Sequence, residues 1–181
     1  MDIPIFSELY EEYTETRRLK LTEEQFLAFI TYYPALLVAK TDGEVDEQEW
    51  SLLQALANHL VSETVAKDAD KEEIKDYKTL FFNEFQYLLD NLDRWDRKYM
   101  RVLQQLMAKR IELVDSVAAV IYTLAESSKG ICEKERIMIE YLRNELRIKD
   151  FCVDIKPSAA PTLTSQVSQQ PKWQAFFWSI W

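Results

Sequence analysis

Glycine is nearly absent from this chain, which contains only Gly43 and Gly130. Phosphate-cradling loops, nucleophile elbows and dinucleotide-binding folds each need several residues at positive φ, the conformation that glycine adopts most readily. The sequence therefore argues against nucleotide-binding and α/β-hydrolase folds.

Histidine and cysteine are also scarce, with one histidine, His59, and two cysteines, Cys132 and Cys152. His59 has no histidine, cysteine or carboxylate partner at metal-ligand spacing, so we expect a helix surface residue and assign it no chemistry. Di-iron helical bundles need Glu-x-x-His pairs, which a single histidine outside that motif cannot supply. We expect no catalytic residues and a protein that is not an enzyme.

The chain also lacks a run of about 18 apolar residues and a basic-then-apolar start, so we expect neither a membrane span nor export. Its 22 basic and 31 acidic residues leave a formal charge of -9, which repels nucleic acid and anionic lipid. We therefore expect a cytoplasmic protein without a nucleic-acid partner. Peripheral contact with the inner membrane stays open.

Helical periodicity dominates what is present, and neither glycine nor proline interrupts residues 44–129. We predict an all-α domain over residues 1–152, with about seven helices packed into a bundle by short connections. Pro34 lies inside one predicted helix and should kink it. Side chains at core spacing in the fifth helix are Tyr99, Val102, Leu103, Leu106 and Ile111.

Helix starts are marked by capping residues, in which the oxygen of a short side chain accepts hydrogen bonds from the free N–H groups of the first helical turn. Further starts are expected after Asp93 and near Asp115, and the last helix should cover residues 133–146. Three capping boxes are formed by Thr22 with Gln25, Asp46 with Glu49, and Asp70 with Glu73.

The composition changes after Phe151 to DIKPSAAPTLTSQVSQQP, which has little to bury. We predict a flexible linker over residues 153–172. Residues 173–181 follow i, i+3, i+4, i+7, i+8 spacing, which predicts an amphipathic helix with an aromatic face. That face consists of Trp173, Phe176, Phe177, Ile180 and Trp181.

The aromatic face of residues 173–181 would be costly to leave in water, so we expect it to bind something. It could fold back on the same chain, enter a groove of a protein partner, or join two chains as a homo-oligomer. A membrane interface is less suited, because interfacial helices usually carry several cations and this segment has only Lys172 beside it. Whether the segment binds its own chain, a second copy or a protein partner stays open.

The two glycines lie in matching contexts, which indicates an internal duplication. The sequences LLVAKTDGEVDEQEWSLLQALANHL and YTLAESSKGICEKERIMIEYLRNEL align with one residue fewer after Gly130. The alignment pairs Glu49 with Glu135, and Leu56 with Leu142. Each copy reads as helix, glycine turn, helix.

At these turns the chain resembles the TerB-like tellurite-resistance family, whose members carry an Asp-Gly-x-hydrophobic-x-x-x-Glu turn twice in a helical bundle. The first copy matches at Asp42, Gly43, Val45 and Glu49. The second has Lys129 in the acidic position and keeps Gly130, Ile131 and Glu135. The resemblance covers about residues 22–146 and excludes the tail.

The resemblance implies a TerB-like, non-enzymatic module associated with metal-oxyanion stress, with acidic turn residues that bind a divalent cation. Similar modules occur at the N-terminus of membrane-bound DnaJ-like co-chaperones, which implies a scaffold or adaptor role. The implied cation ligands are Asp42, Glu44, Asp46 and Glu49.

Two interpretations of the acidic turn remain. Calcium or magnesium would use its carboxylates, but aligning Gly43 with the EF-hand glycine places Val38 and Lys40 at ligand positions, so affinity would be weak. Capping explains the same residues, since Asp46 and Glu49 form a capping box and acids favour a helix N-terminus. The sequence thus predicts a helical interaction and stress-response module. The alternative is a weak divalent-cation binder or sensor.

Overall fold

The computed structural model describes residues 3–41, 43, 45, 47–65, 69–127 and 133–148, and within these ranges the chain is all-helical with seven helices and no strand. This confirms the predicted fold class and helix number. No helix in these ranges combines the length and apolarity needed to cross a membrane. The helices are α1 Pro4–Arg17, α2 Glu23–Ala39, α3 Glu47–Thr64, α4 Lys71–Asp90, α5 Leu92–Lys109, α6 Glu112–Ser127 and α7 Glu133–Glu145.

Two of the predicted helix starts are confirmed, α2 with both hydrogen bonds of a capping box and α4 with the hydrogen bonds that the Asp70 side chain accepts. The Thr22 hydroxyl accepts from the Gln25 N–H at 3.1 Å, and the Gln25 side chain accepts from the Thr22 N–H at 3.0 Å. Asp70 Oδ1 accepts from the N–H groups of Glu72 and Glu73 at 2.9 and 2.8 Å. Each cap satisfies N–H groups that the first helical turn leaves unpaired, so α2 and α4 start where the sequence places them.

Helix α2 is the centre of the bundle, because α3, α4, α5, α6 and α7 all pack against it. Almost every residue from Gln25 to Ala39 in α2 is buried. Only Leu27 and Ala28 in that stretch are half-exposed. The helix continues through Pro34.

A cluster of aromatic rings joins α1, α2 and α5. The Tyr13 ring meets Trp95 edge-on at a centroid distance of 5.0 Å, and Phe26 meets Tyr99 in the same way at 5.8 Å. Tyr33 lies 4.7 Å from Tyr99. Such pairs add to the stabilisation that burial of the rings already provides.

An ion pair ties α1 to α4 beside that cluster. Arg17 donates two hydrogen bonds to the buried Glu84 carboxylate, at 2.9 and 2.8 Å, and the Tyr13 hydroxyl donates a third at 2.8 Å. The Arg17 guanidinium also lies 3.6 Å above the Tyr87 ring. Burial and the Glu84 charge raise the pKa of Tyr13 above its ordinary value, so this phenol stays protonated.

The boundary between α5 and α6 differs from its predicted position. Helix α5 ends at Lys109, Arg110 is extended with φ -130°, and α6 begins at Glu112, three residues before Asp115. Because the helical period stops at Arg110, the prediction of Ile111 as a core residue is wrong, and its side chain is 78% exposed. Asp93 likewise lies inside α5, which begins at Leu92.

The two copies of the duplication pack against each other. Helices α2 and α6, the first of each copy, form the most extensive contact in the bundle. The second helix of each copy packs on the first helix of the other, α3 on α6 and α7 on α2. Both helices of each copy therefore contact the other copy.

Candidate functional site

The acidic turn of the first copy is described only in part. Gly43 has φ +104°, which an L side chain rarely adopts, and its N–H donates to the Lys40 carbonyl at 3.1 Å. This bears out the glycine turn after α2. Asp42, Glu44 and Asp46 lie outside the described residues.

Glu49, the fourth predicted cation ligand, lies in the first turn of α3 and is only 5% exposed. Its counterpart Glu135, in the first turn of α7, is also 5% exposed. The second copy has Lys129 at its turn, so a shared cation does not explain why both carboxylates are buried. A role common to both copies, at the start of the second helix, explains it more simply.

No group of three or more histidine, cysteine, aspartate or glutamate side chains is placed to hold a metal within the described ranges. Since three of the four predicted ligands lie outside those ranges, the cation site at residues 42–49 stays a prediction. The same holds for the linker at 153–172 and the aromatic face at 173–181, which also lie outside.

The described bundle has a groove that the sequence did not predict, between the N-terminal half of α2, the C-terminal end of α3 and the N-terminal half of α6. We call it the α2/α3/α6 groove, and its volume is about 570 Å³. It is lined by Glu23, Glu24, Leu27, Ala28, Thr31, Tyr32, His59, Leu60, Glu63, Thr64, Arg110, Leu113, Ser116 and Val120.

The floor of the α2/α3/α6 groove is apolar. Leu60, Leu113 and Val120 are almost fully buried and come from α3 and α6, whereas α2 contributes its two half-exposed residues, Leu27 and Ala28. The groove is therefore the place where the central helix is least covered by the bundle.

Two threonine hydroxyl groups in the groove are engaged within their own helices. Thr31 donates to the Leu27 carbonyl at 2.9 Å, and Thr64 donates to the Leu60 carbonyl at 2.7 Å. With their protons donated to the backbone, these two hydroxyl groups have no proton left to donate to an occupant of the groove. The lining therefore offers fewer hydrogen-bond donors than its residue types suggest.

Charged groups stand around the rim of the groove. The carboxylates of Glu23, Glu24 and Glu63 are on exposed residues, and Arg110 pairs with Glu112 at 2.9 Å. His59 is half-buried, and burial lowers its pKa while the nearby Glu63 charge opposes that shift. The prediction of a surface histidine therefore holds only in part, because one side of His59 faces the groove.

A second groove lies between α5, the first turn of α6 and the end of α7. We call it the α5–α7 groove, and it contains the exposed Ile111. Its lining is more polar, and Gln104 Nε2 donates to Glu145 Oε1 across it at 2.8 Å. This contact fastens α7 to α5.

The sequence did not predict the grooves, because the residues that line each groove come from three separate helices. A weak signal in the sequence was the small size of some lining residues, which leaves space between the helices where larger side chains would fill it. These residues are Ala28, Thr31, Ser116 and Thr64. Periodicity assigns such residues to a face of one helix, but it does not say which faces of different helices meet.

Comparison of this chain with protein-family models, with curated proteins and with solved structures finds no match in any of the three. The resemblance to the TerB-like family thus rests on the residues of the two glycine turns and stays a prediction.

Proposed function

We propose that this protein is a non-catalytic helical interaction module of the TerB-like kind, in which residues 173–181 bind the chain itself or a protein partner. The observation that carries the proposal is the α2/α3/α6 groove, an apolar surface left open in a bundle whose other apolar side chains are mostly buried. Helix-in-groove recognition uses such a surface together with apolar anchors at i, i+3, i+4 and i+7 spacing.

The chain contains both parts of such an interaction. The groove supplies an apolar floor with a charged rim, and residues 173–181 supply five apolar side chains on one predicted helical face. Aromatic residues are the side chains that most often dominate binding energy at interfaces. The stress-response part of the proposal is supported by the family resemblance alone.

Partner capture with the full-length chain tests this function. Phe177→Asp places a charge on the aromatic face, whereas Gln174→Asp places the same charge outside it. We expect Phe177→Asp to lose proteins that the native chain retains from its own cell extract, and Gln174→Asp to retain them. Equal retention by both variants would overturn the role of the tail in partner binding.

A second candidate function, weak binding of a divalent cation, is favoured by the left-handed turn at Gly43, beside which the sequence places Asp42 and Glu44. Calcium and magnesium prefer oxygen ligands of the kind these carboxylates provide. Calorimetric titration of the full chain with calcium and magnesium should give heat that Asp42→Asn abolishes and Glu135→Gln preserves. No heat at millimolar cation would reject this candidate.

A further inference from the structure

The α2/α3/α6 groove has the properties of a surface that another segment covers. Helix α2 is buried along nearly its whole length from Gln25 onward, yet Leu27 and Ala28 are left half-exposed above the buried Leu60 and Leu113. Apolar surface gains free energy roughly in proportion to the area removed from water. An apolar occupant would complete the packing around α2.

The polar groups of the groove favour an apolar occupant with at most a cation at its edge. Thr31 and Thr64 already donate to backbone carbonyls of their own helices. The exposed rim residues Glu23, Glu24 and Glu63 carry negative charge. A neutral aromatic helix flanked by one lysine would bury its apolar face on the floor and bring its cation near the carboxylates.

Residues 172–181 have this composition. Lys172 is followed by nine residues without an acidic or basic side chain, and these include Trp173, Phe177 and Trp181 on the predicted apolar face. A volume of about 570 Å³ lies within the range of about 300–1,000 Å³ found for sites that enclose sizeable apolar ligands. It can accept several of the aromatic side chains, with the rest of the helix lying along the opening.

The end of α7 lies close to this groove. Leu146 lines the α5–α7 groove together with Val114 of α6, and the preceding residue, Leu113, lines the α2/α3/α6 groove. The two grooves thus share the first turn of α6, so they are separated by about one helix diameter, roughly 10–12 Å.

The chain that follows is long enough for the connection. Residues 149–172 separate the end of the described bundle from Trp173, and a flexible chain of that length has a root-mean-square end-to-end distance of about 27 Å. Because this distance exceeds the separation of about 10–12 Å between the two grooves, the linker can reach the α2/α3/α6 groove and holds its ligand at an effective concentration in the millimolar range. Binding within one chain is therefore favoured over binding between two dilute chains.

We infer that residues 173–181 bind the α2/α3/α6 groove of their own chain, with the aromatic face on Leu27, Ala28, Leu60 and Leu113. The inference rests on the proposed interaction function and adds that the tail and the groove cover each other in the free protein. A partner that recognises either surface must then displace this contact. The α5–α7 groove is a poorer site, because Gln104 and Glu145 already bridge it.

Amide chemical shifts of the full-length chain test the location. Phe177→Asp should shift the amides of Ala28, His59 and Leu113, while the matched variant Gln174→Asp leaves them in place. Shifts confined to Met107 and Leu146 would move the site to the α5–α7 groove and overturn the inference. Unchanged shifts throughout the bundle would overturn binding in cis.

Disulfide trapping gives a second, independent readout in the full chain with Cys132 and Cys152 replaced by serine. Glu63→Cys paired with Ser179→Cys should form an intramolecular disulfide at least ten times faster than the control pair Gln105→Cys with Ser179→Cys. A disulfide-linked dimer as the main product, or equal rates for the two pairs, would overturn the inference.

The two proposals fail in distinguishable ways. If trapping and chemical shifts show no contact in cis while Phe177→Asp still loses a captured partner, the interaction function stands and only the inference about the groove is overturned. If the contact in cis forms but no partner depends on Phe177, the tail is a structural part of the bundle, and binding of a protein partner by the tail is overturned while the inference about the groove stands.

Discussion

Helices α3 and α7 are the second helices of the two repeats, and their comparison separates what the repeat encodes from what the rest of the bundle adds. Both repeats bury four equivalent side chains at i, i+4, i+7 and i+11 spacing, and the last one of the second repeat, Leu146, directly follows α7. The pairs are Glu49 with Glu135, Leu53 with Ile139, Leu56 with Leu142, and Leu60 with Leu146.

The two helices differ on the neighbouring face. Ala57 and Val61 of α3 are buried, whereas the equivalent positions of the second repeat are Arg143 in α7, half-buried, and Arg147 after the end of α7, exposed. Helix α4 packs on α3, where Trp50 meets the Phe82 ring edge-on at a centroid distance of 5.6 Å. A second covering helix therefore explains the extra apolar residues of α3.

Apolar residues on the exposed face of α7 show the same difference, because no further helix of the described bundle covers them. Ile137 is 55% exposed and Tyr141 is 50% exposed, although they stand on the same helix as the buried Ile139 and Leu142. The repeat thus specifies one buried stripe on each second helix. The burial of any further face depends on which additional helix lies against it.

The largest expected effect comes from replacing Ala57 of α3 with arginine, the residue type at the equivalent position of α7. Ala57 is 2% exposed, so Ala57→Arg should both overpack the contact with α4 and bury a charge, which lowers the free energy of unfolding by at least about 3 kcal/mol. The reverse change, Arg143→Ala, should alter it by about 1 kcal/mol or less. Urea unfolding followed by circular dichroism measures both, and similar losses would contradict the assigned difference between the faces.

The shared stripe should respond equally in the two repeats. Leu56 is 3% exposed and Leu142 is 0% exposed, so Leu56→Ala and Leu142→Ala should each lower the free energy of unfolding by about 3 kcal/mol. Tyr141→Ser, on the exposed face of α7, serves as the control with about 0.5 kcal/mol or less. A loss at Leu142 no larger than that of the control would show that α7 is not packed as its repeat partner is.

The buried carboxylates should also behave alike if their role belongs to the repeat. Glu49→Gln and Glu135→Gln keep the size of the side chain, so each should lower the free energy of unfolding by about 1–2 kcal/mol through weakened hydrogen bonding. The measurement is the same unfolding transition with and without millimolar calcium. Stabilisation of the native chain by calcium that only Glu49→Gln removes would instead favour the cation site.

The smallest expected effect is a pH dependence that α7 lacks, because Glu145 stands where α3 has His59. Burial in the groove lowers the pKa of His59, so below the ordinary histidine pKa of about 6.5 the unfolded chain binds this proton more readily than the folded one. The resulting stability is present above that pH and is lost as the pH falls through the folded pKa.

His59→Gln tests this directly. The variant should lose less stability than the native chain when the pH is lowered from 7 to 5, with the difference read from paired urea unfolding curves. Parallel pH profiles for the two proteins would contradict the assigned effect of burial on His59.

Much of the fold follows from the sequence because it depends on local chemistry. Thr22 and Asp70 cap helices through hydrogen bonds to N–H groups two or three residues away, and the stripe from Leu56 to Leu60 follows helical spacing. Ile111 was mispredicted because Arg110 interrupts the helical period with neither glycine nor proline to mark the break. The candidate groove was missed for a different reason, since it belongs to no single helix.

The sequence by itself determined the helices, their caps and the buried stripe common to both repeats, because these depend on contacts between neighbours along the chain. Only the tertiary structure decided that α2 is enclosed while Leu27 and Ala28 remain half-exposed, and that His59 faces a groove formed with α6. Those features arise where three helices meet, and periodicity within one helix carries no information about its distant neighbours.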